Sequence, residues 1–157
     1  MNKADPPRSL GVFKPVGHTV LVFPNAQKLD DAALHLTAAD IVTGAVTRYT
    51  PEEMLAQTEA DLEGASALAS VGQELNLVKM HRQLATEGCH FMVVPTDKDA
   101  LARQVADIVK PLGAIAAQQY GTFIVEDLID PADGKAQVFE SPDRGIDTKL
   151  PILNSTT

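Results

Sequence analysis

Two unbroken apolar runs set the frame of the chain. Val20, Leu21, Val22 and Phe23 follow Thr19 and are closed by Pro24 and Asn25; Phe91, Met92, Val93 and Val94 are closed by Pro95. Short continuous runs bounded by turn residues predict strands buried on both faces. Between them, Leu29, Ala33 and Leu36 recur at helical spacing while Lys28, Asp30 and Asp31 lie off that line. That spacing predicts an amphipathic helix of about three turns. Residues 45–49 alternate instead, with Val46 and Arg48 on one face and Ala45, Thr47 and Tyr49 on the other, and predict a second strand.

Thr50-Pro51-Glu52-Glu53 is the sharpest local signal. Thr50 suits the N-cap, Pro51 the first helical position, and Glu53 closes a capping box. The helix it opens is expected to bury Leu55, Thr58 and Leu62, to present Glu52, Gln57, Glu59 and Glu63 outward, and to end near Gly64. A small-residue stretch then leads to a helix over 73–87, with Leu77, Met80 and Leu84 as its apolar line and Gly88 as its stop. After the 91–94 strand, Thr96 or Asp97 is the expected cap of a helix facing inward through Leu101, Val105, Ile108 and Leu112, ended by Pro111 and Gly113. Residues 114–118 and 122–126 read as two strands joined at Gln119-Tyr120-Gly121.

The resulting order is β-α-β-(α-α)-β-α-β-β. This is an α+β pattern: a ferredoxin-like βαββαβ sheet with a two-helix insertion between strands 2 and 3 and an extra C-terminal hairpin strand. An open parallel α/β sheet is the rival arrangement. The two-sided burial of the central strands requires a cover on the sheet's second face, either the inserted helices or a second subunit, so a homodimer is expected. Residues 1–16, broken by Pro6, Pro7, Gly11 and Pro15, read as a flexible lead-in to a single domain over 17–129. Residues 130–157, with Pro131, Gly134, Pro142, Gly145 and Pro151, read as an extended or disordered tail.

Composition narrows the function classes. The formal charge of −8 opposes binding to nucleic-acid phosphates. No apolar run reaches membrane-spanning length, and no basic stretch precedes an apolar one as in a signal peptide, so a cytoplasmic protein is expected. Cys89 is the only cysteine, so neither an internal disulfide nor a cysteine zinc site is expected; after Gly88 it reads as a small buried residue. Aromatic residues make up 4% of the chain, so the core must be aliphatic.

No nucleotide-binding, metalloprotease or hydrolase motif is present, and no catalytic, metal or cofactor site is expected. The five carboxylates Glu52, Glu53, Glu59, Asp61 and Glu63 read as a solvated helix face rather than a cation site. Candidate ligand contacts are Glu74, His81 and Arg82 on one helix, where His81 has the right chemistry for a base near neutral pH. Arg48, Tyr49 and Tyr120 join them because each sits at an element end, where loops give ligands access.

The stretches His18-Thr19-Val20-Leu21-Val22-Phe23-Pro24 and Val46-Thr47-Arg48-Tyr49-Thr50-Pro51-Glu52-Glu53-Met54 resemble small bacterial proteins of unassigned function akin to the general-stress and heat-induced stress domain family. The segments 72–79 and 119–129 are similar to the narrower group. This resemblance implies a compact ferredoxin-like fold and transfers no site residue. Two functional expectations follow: a non-catalytic dimeric domain with a stress-related or regulatory role, and a small-molecule sensing domain with a cleft between sheet and inserted helices. An enzyme built on His81 ranks behind both.

Overall fold

In the computed structural model, which describes residues 1–65 and 73–132, seven strands and four α-helices are seen among the described residues, five of the strands in one sheet. A short hairpin, β1 (Arg8–Ser9) and β2 (Val12–Phe13), precedes β3 (His18–Phe23), α1 (Ala26–Ala39), β4 (Thr47–Tyr49) and α2 (Pro51–Gly64). Then come α3 (Gln73–Thr86), β5 (His90–Pro95), α4 (Asp99–Val109), β6 (Ala116–Tyr120) and β7 (Val125–Ile129). The sheet order is β4-β5-β3-β6-β7, and every neighbouring pair is antiparallel. The fold is therefore α+β, and the parallel rival is excluded.

The two apolar runs form the central strands β3 and β5, paired from His18–Pro95 to Phe23–His90. Their alternation divides the core. Leu21, Phe23, Met92 and Val94 face α1 and α4, where Leu29, Leu36, Val105 and Val109 close one hydrophobic cluster. Val20, Val22, Phe91 and Val93 face α2 and α3, where Met54, Leu77 and Leu84 close the other. The inserted helices thus cover the second sheet face within one chain, and burial of these strands needs no second subunit. Fully burying each such side chain is worth about 1.5–3 kcal/mol.

Local signals held where the chain could satisfy them locally. The Thr50 hydroxyl accepts from the Glu53 N–H at 3.1 Å, and the Glu53 carboxylate accepts from the Thr50 N–H at 3.0 Å. α1 runs longer than its apolar line suggests, because Asn25 caps it through Lys28 N–H at 2.9 Å, and it buries Ala32 where Ala33 was expected. Thr96 does not cap α4. Its hydroxyl is buried against that of Thr19 at 2.6 Å, and α4 starts at Asp99 after Lys98 with no side-chain cap. α4 buries Ala102, Val105, Ala106 and Val109 most deeply, and the expected Leu101, Ile108 and Leu112 pack half-buried against the same cluster. The terminal hairpin is shifted toward the C-terminus, with 121–124 as its connection.

The largest departure is at the N-terminus. Residues 8–13, expected to be part of a flexible lead-in, form a hairpin that packs against α2 and α3. Phe13 enters the cluster beneath those helices, and Val12 packs with Leu75 and Val78. Its turn has positive φ at both central residues, Leu10 (55°) and Gly11 (81°), the signature of a type I′ turn. Gly11 is required twice over, since a Cβ there would also collide with the Gly64 carbonyl at the end of α2. At the other margin, the Gln73 side chain clamps β7: its Nε2 donates to Val125 O at 2.8 Å and its Oε1 accepts from Val125 N–H at 3.2 Å. Of the tail expected over 130–157, residues 133–157 lie outside the described residues, as do 66–72.

Candidate functional site

α2 buries Thr58 as its spacing predicts, but the rest of its buried face is rotated away from the line of its leucines. Met54, Gln57, Thr58 and Asp61 are buried, whereas Leu55 and Leu62 are only half-buried. Gln57, expected outward, is 8% exposed, and Asp61, expected on a solvated face, is fully enclosed. The cause is the N-terminal segment, which lies along the helix and supplies polar partners to it.

Glu53, Gln57 and Asp61 recur at i, i+4 and i+8 and so line up on one side of α2. At one end of this row, Lys3 Nζ donates to Glu53 Oε2 at 2.8 Å and to Arg48 O at 2.9 Å. That hydrogen bond, with the Thr50 N–H, holds the Glu53 carboxyl below its ordinary pKa. At the other end, Arg8 Nε donates to Asp61 Oδ1 at 2.7 Å, and the Phe13 N–H donates to Asp61 Oδ2 at 3.2 Å. Burial nevertheless raises the Asp61 pKa, because desolvation of the carboxylate outweighs both donors.

The middle position differs from both ends. Neither the Nε2 nor the Oε1 of Gln57 has a hydrogen-bond partner among the described residues, although both are buried. The hydroxyl of Tyr49, at the end of β4, is buried and unpartnered in the same way. The strand register sets Tyr49 opposite Phe91 and so sends its side chain to the α2 face. The Gln57 amide acts on the phenol as a weak side-chain hydrogen bond that lowers its pKa, although no well-formed bond joins them. Burial dominates and pushes that pKa up to about 12, so the phenol is neutral at physiological pH. Lys3 Nζ sits 5.4 Å from the ring centroid.

Tyr49 and Gln57 line a cavity of about 360 Å³ together with Lys3, Ala4, Pro6, Arg8, Glu53 and Ala56. Its walls are the N-terminal segment on one side and α2 with the end of β4 on the other. A buried amide or hydroxyl without a partner costs about 1–3 kcal/mol. The two residues that carry these enclosed atoms, Tyr49 and Gln57, both line this cavity. A second cavity, of about 230 Å³, lies between α1 and β4 and includes Thr37, Asp40 and Arg48. It has no comparable feature: Thr37 Oγ1 donates to Ala33 O, and the exposed Arg48 pairs with Asp30 at 2.7 Å.

Of the six ligand contacts expected from the sequence, Tyr49 is the one whose side chain borders the larger cavity; Arg48 contributes a carbonyl to the Lys3 ammonium beside it. Arg82 is exposed on α3, and its carbonyl accepts from Thr86 Oγ1. Glu74 pairs loosely with Lys14 at 3.5 Å. Tyr120 is buried, tilted against Phe13 at 6.1 Å between ring centroids, with its pKa raised by burial. Cys89 is buried in the same cluster. His81 is buried too, with Nε2 3.1 Å from Gln118 Oε1 and its ring edge-on to Phe91. Gln118 Nε2 in turn donates to Asp127 Oδ1 at 3.3 Å, which fixes the amide's orientation and places the imidazole proton on Nε2. Burial lowers the His81 pKa to about 4, so the ring is neutral near pH 7.

Gln57 and Arg8 were missed from the sequence. The 53-57-61 spacing was legible, but its meaning depends on a segment that reaches it from 53 residues away. Among the described residues, no helix is long and apolar enough to cross a membrane, and no three His, Cys, Asp or Glu side chains are grouped to hold a metal ion. Comparison with protein-family models, with curated proteins and with solved structures finds no match.

Proposed function

We propose that this chain is a non-catalytic small-molecule-binding domain whose ligand enters the cavity between the N-terminal segment and α2. The observation that carries this reading is that Tyr49 and Gln57, whose enclosed hydroxyl and amide form no well-made hydrogen bond among the described residues, both line that cavity. Its volume of about 360 Å³ falls within the range of small-molecule sites. The strand order β6-β3-β5-β4, with α1 and α4 against one face, supports a ferredoxin-like scaffold carrying the α2–α3 insertion. In this reading the insertion and the N-terminal segment build the site, and the sheet is its support.

Thermal-shift measurements across a library of small polar metabolites test the proposal. A ligand that binds only the folded state raises the melting temperature, by RT ln(1 + [L]/Kd) in stability. At least one compound is expected to do so, with the shift reduced in Tyr49→Phe and in Gln57→Leu. A library without a stabilising compound, or a shift indifferent to both substitutions, overturns it.

A homodimer is the second reading, and one observation favours it. Phe123 and Ile124, at the connection between β6 and β7, are 91% and 71% exposed. Two adjacent large apolar side chains so displayed fit a protein contact better than a solvated turn.

A further inference from the structure

We infer that residues 1–5 form a strap over this cavity, latched by Lys3 and opened when its ammonium leaves Glu53 and the Arg48 carbonyl. Access to the site is then set by the ionic strength around one exposed ion pair. The inference rests on the binding-site reading above and assigns the regulation of that same site.

The strap is fixed at one end and lightly held at the other. Arg8 donates to the enclosed Asp61 at 2.7 Å, and the Lys14 N–H donates to Pro7 O at 2.9 Å. From Pro7 onward the chain therefore belongs to the hairpin. Pro6 is buried, and the rings of Pro6 and Pro7 fix φ at two successive positions, which makes a stiff joint. On the N-terminal side of that joint, two hydrogen bonds close on the segment itself. The Ala4 N–H donates to Asn2 Oδ1 at 3.0 Å and the Asp5 N–H to Asn2 O at 3.2 Å. Residues 2–5 can swing as one turn without breaking either. Among the described residues, the polar hold of this turn on the body is Lys3. Its Nζ donates to Glu53 Oε2 at 2.8 Å and to Arg48 O at 2.9 Å, and stands 5.4 Å from the Tyr49 ring centroid. Met1 adds an apolar contact with the cluster beneath α2 and α3.

The terms that close and open the strap are both small. The Lys3 and Glu53 side chains are 39% and 46% exposed, and ion pairs so placed contribute little and are screened by salt. Against the latch stands the cost of enclosing Tyr49 and Gln57, whose hydroxyl and amide form no well-made hydrogen bond in the closed arrangement. Swinging residues 1–5 outward uncovers the ring face of Tyr49 beneath Lys3 and removes the cavity wall at Ala4, which admits water to that side of the site. Glu53 holds its own place through its other oxygen, which accepts from the Thr50 N–H at 3.0 Å and caps α2. The strap thus closes on an anchor that the helix start keeps in position. A weak latch over an imperfectly bonded pair leaves it poised between closed and open.

The test is acrylamide quenching of tyrosine fluorescence in the full chain, which holds two tyrosines and no tryptophan. Tyr49→Phe reports Tyr120 alone, and its difference from the parent chain gives Tyr49. Acrylamide is uncharged, so salt acts on the strap and not on the approach of the quencher. Quenching of Tyr49 should rise at least about twofold in Lys3→Gln, in Glu53→Gln, and in the parent between about 0.05 and about 1 M sodium chloride. Glutamine at position 53 still completes the capping box, so that variant removes the latch charge while α2 keeps its start. Arg103→Gln, which breaks the exposed pair with Glu126 elsewhere, should leave quenching unchanged. Quenching of Tyr49 that stays level in either latch variant, or with salt, overturns the strap. So does an equal rise for Tyr120, measured in the Tyr49→Phe background, because that marks general loosening. A stabilising metabolite found alongside unresponsive quenching refutes the strap and leaves the binding site standing. Responsive quenching with no stabilising metabolite leaves the strap standing and refutes the binding-site reading.

Discussion

The Arg8 guanidinium and the Asp61 carboxylate meet at 2.7 Å, with Asp61 fully enclosed and about a third of the Arg8 side chain exposed. This contact ties the N-terminal hairpin to the last turn of α2. Removing one partner of a buried pair strands the other, which is where the cost lies. Because Arg8 retains access to water, we expect Arg8→Ala to destabilise by about 2 kcal/mol, below the full value for a wholly buried pair. Urea unfolding measures the loss, and hydrogen exchange at the Phe13 amide should quicken with it. A change below about 0.5 kcal/mol would mean that the hairpin is held by Phe13 and Val12 alone.

That contact also explains what the sequence could and could not convey. The capping box at Thr50 and Glu53 is legible because both partners lie within four residues. So are β3 and β5, whose continuous apolar runs announce two-sided burial. The inward face of α2 is not legible in the same way. Leu55 and Leu62 define the more apolar line, yet Asp61 turns inward because Arg8 and the Phe13 N–H come to it from elsewhere, and Gln57 lies one turn earlier on the same side. Thr96 illustrates the same competition: a good cap by type, its hydroxyl is taken by Thr19 on the neighbouring strand. Long-range polar pairing overrode local preference in both places, and the candidate site lies at one of them.

His81 predicts an acid-sensitive core. Its folded pKa, lowered to about 4 by burial, lies below the 6.5 of an exposed histidine, so the unfolded chain binds the proton more readily. Stability is therefore lost as pH falls from about 6.5 toward 4, on the order of 3 kcal/mol in all, and it levels off below the folded pKa. Asp61 acts in the opposite sense, since a carboxyl with a raised pKa favours the folded state as it takes up its proton. Comparing His81→Gln with the parent chain isolates the imidazole: the slope of unfolding free energy between pH 6.5 and 4 should flatten in the variant. An unchanged slope would show that other groups dominate.

The hairpin turn holds Leu10 at a φ of 55°, with its side chain half exposed. Asparagine adopts that conformation more readily than leucine and is favoured at this turn position. Leu10→Asn should stabilise by about 0.5–1 kcal/mol. Gly11→Ala should destabilise by more than about 1 kcal/mol, through strain at positive φ together with the collision against Gly64. Melting temperatures of the two variants, moving in opposite directions, check both. A stabilised Gly11→Ala would mean that the hairpin does not close on α2 in this way.

A dimer of this chain needs a surface other than the sheet. α2 and α3 cover the face opposite α1 and α4, so neither face of the sheet is left open. The sheet edges are poorly suited to pairing as well: β4 has three residues, and β7 carries Glu126 and Asp127 along its length. The exposed pair Phe123 and Ile124 remains, on a connection braced by the Lys14 ammonium, which donates to Thr122 O at 2.9 Å, and by the Gly121 N–H, which donates to Ile124 O at 2.8 Å. Light scattering at micromolar concentration should give twice the 16.7 kDa chain mass for the parent protein and the single-chain mass for Phe123→Ser with Ile124→Ser. Because both side chains are exposed, the double substitution should leave the melting temperature of the fold nearly unchanged, which separates lost association from lost folding. A parent protein that elutes as a monomer, or a variant that stays dimeric, places these residues outside any subunit contact.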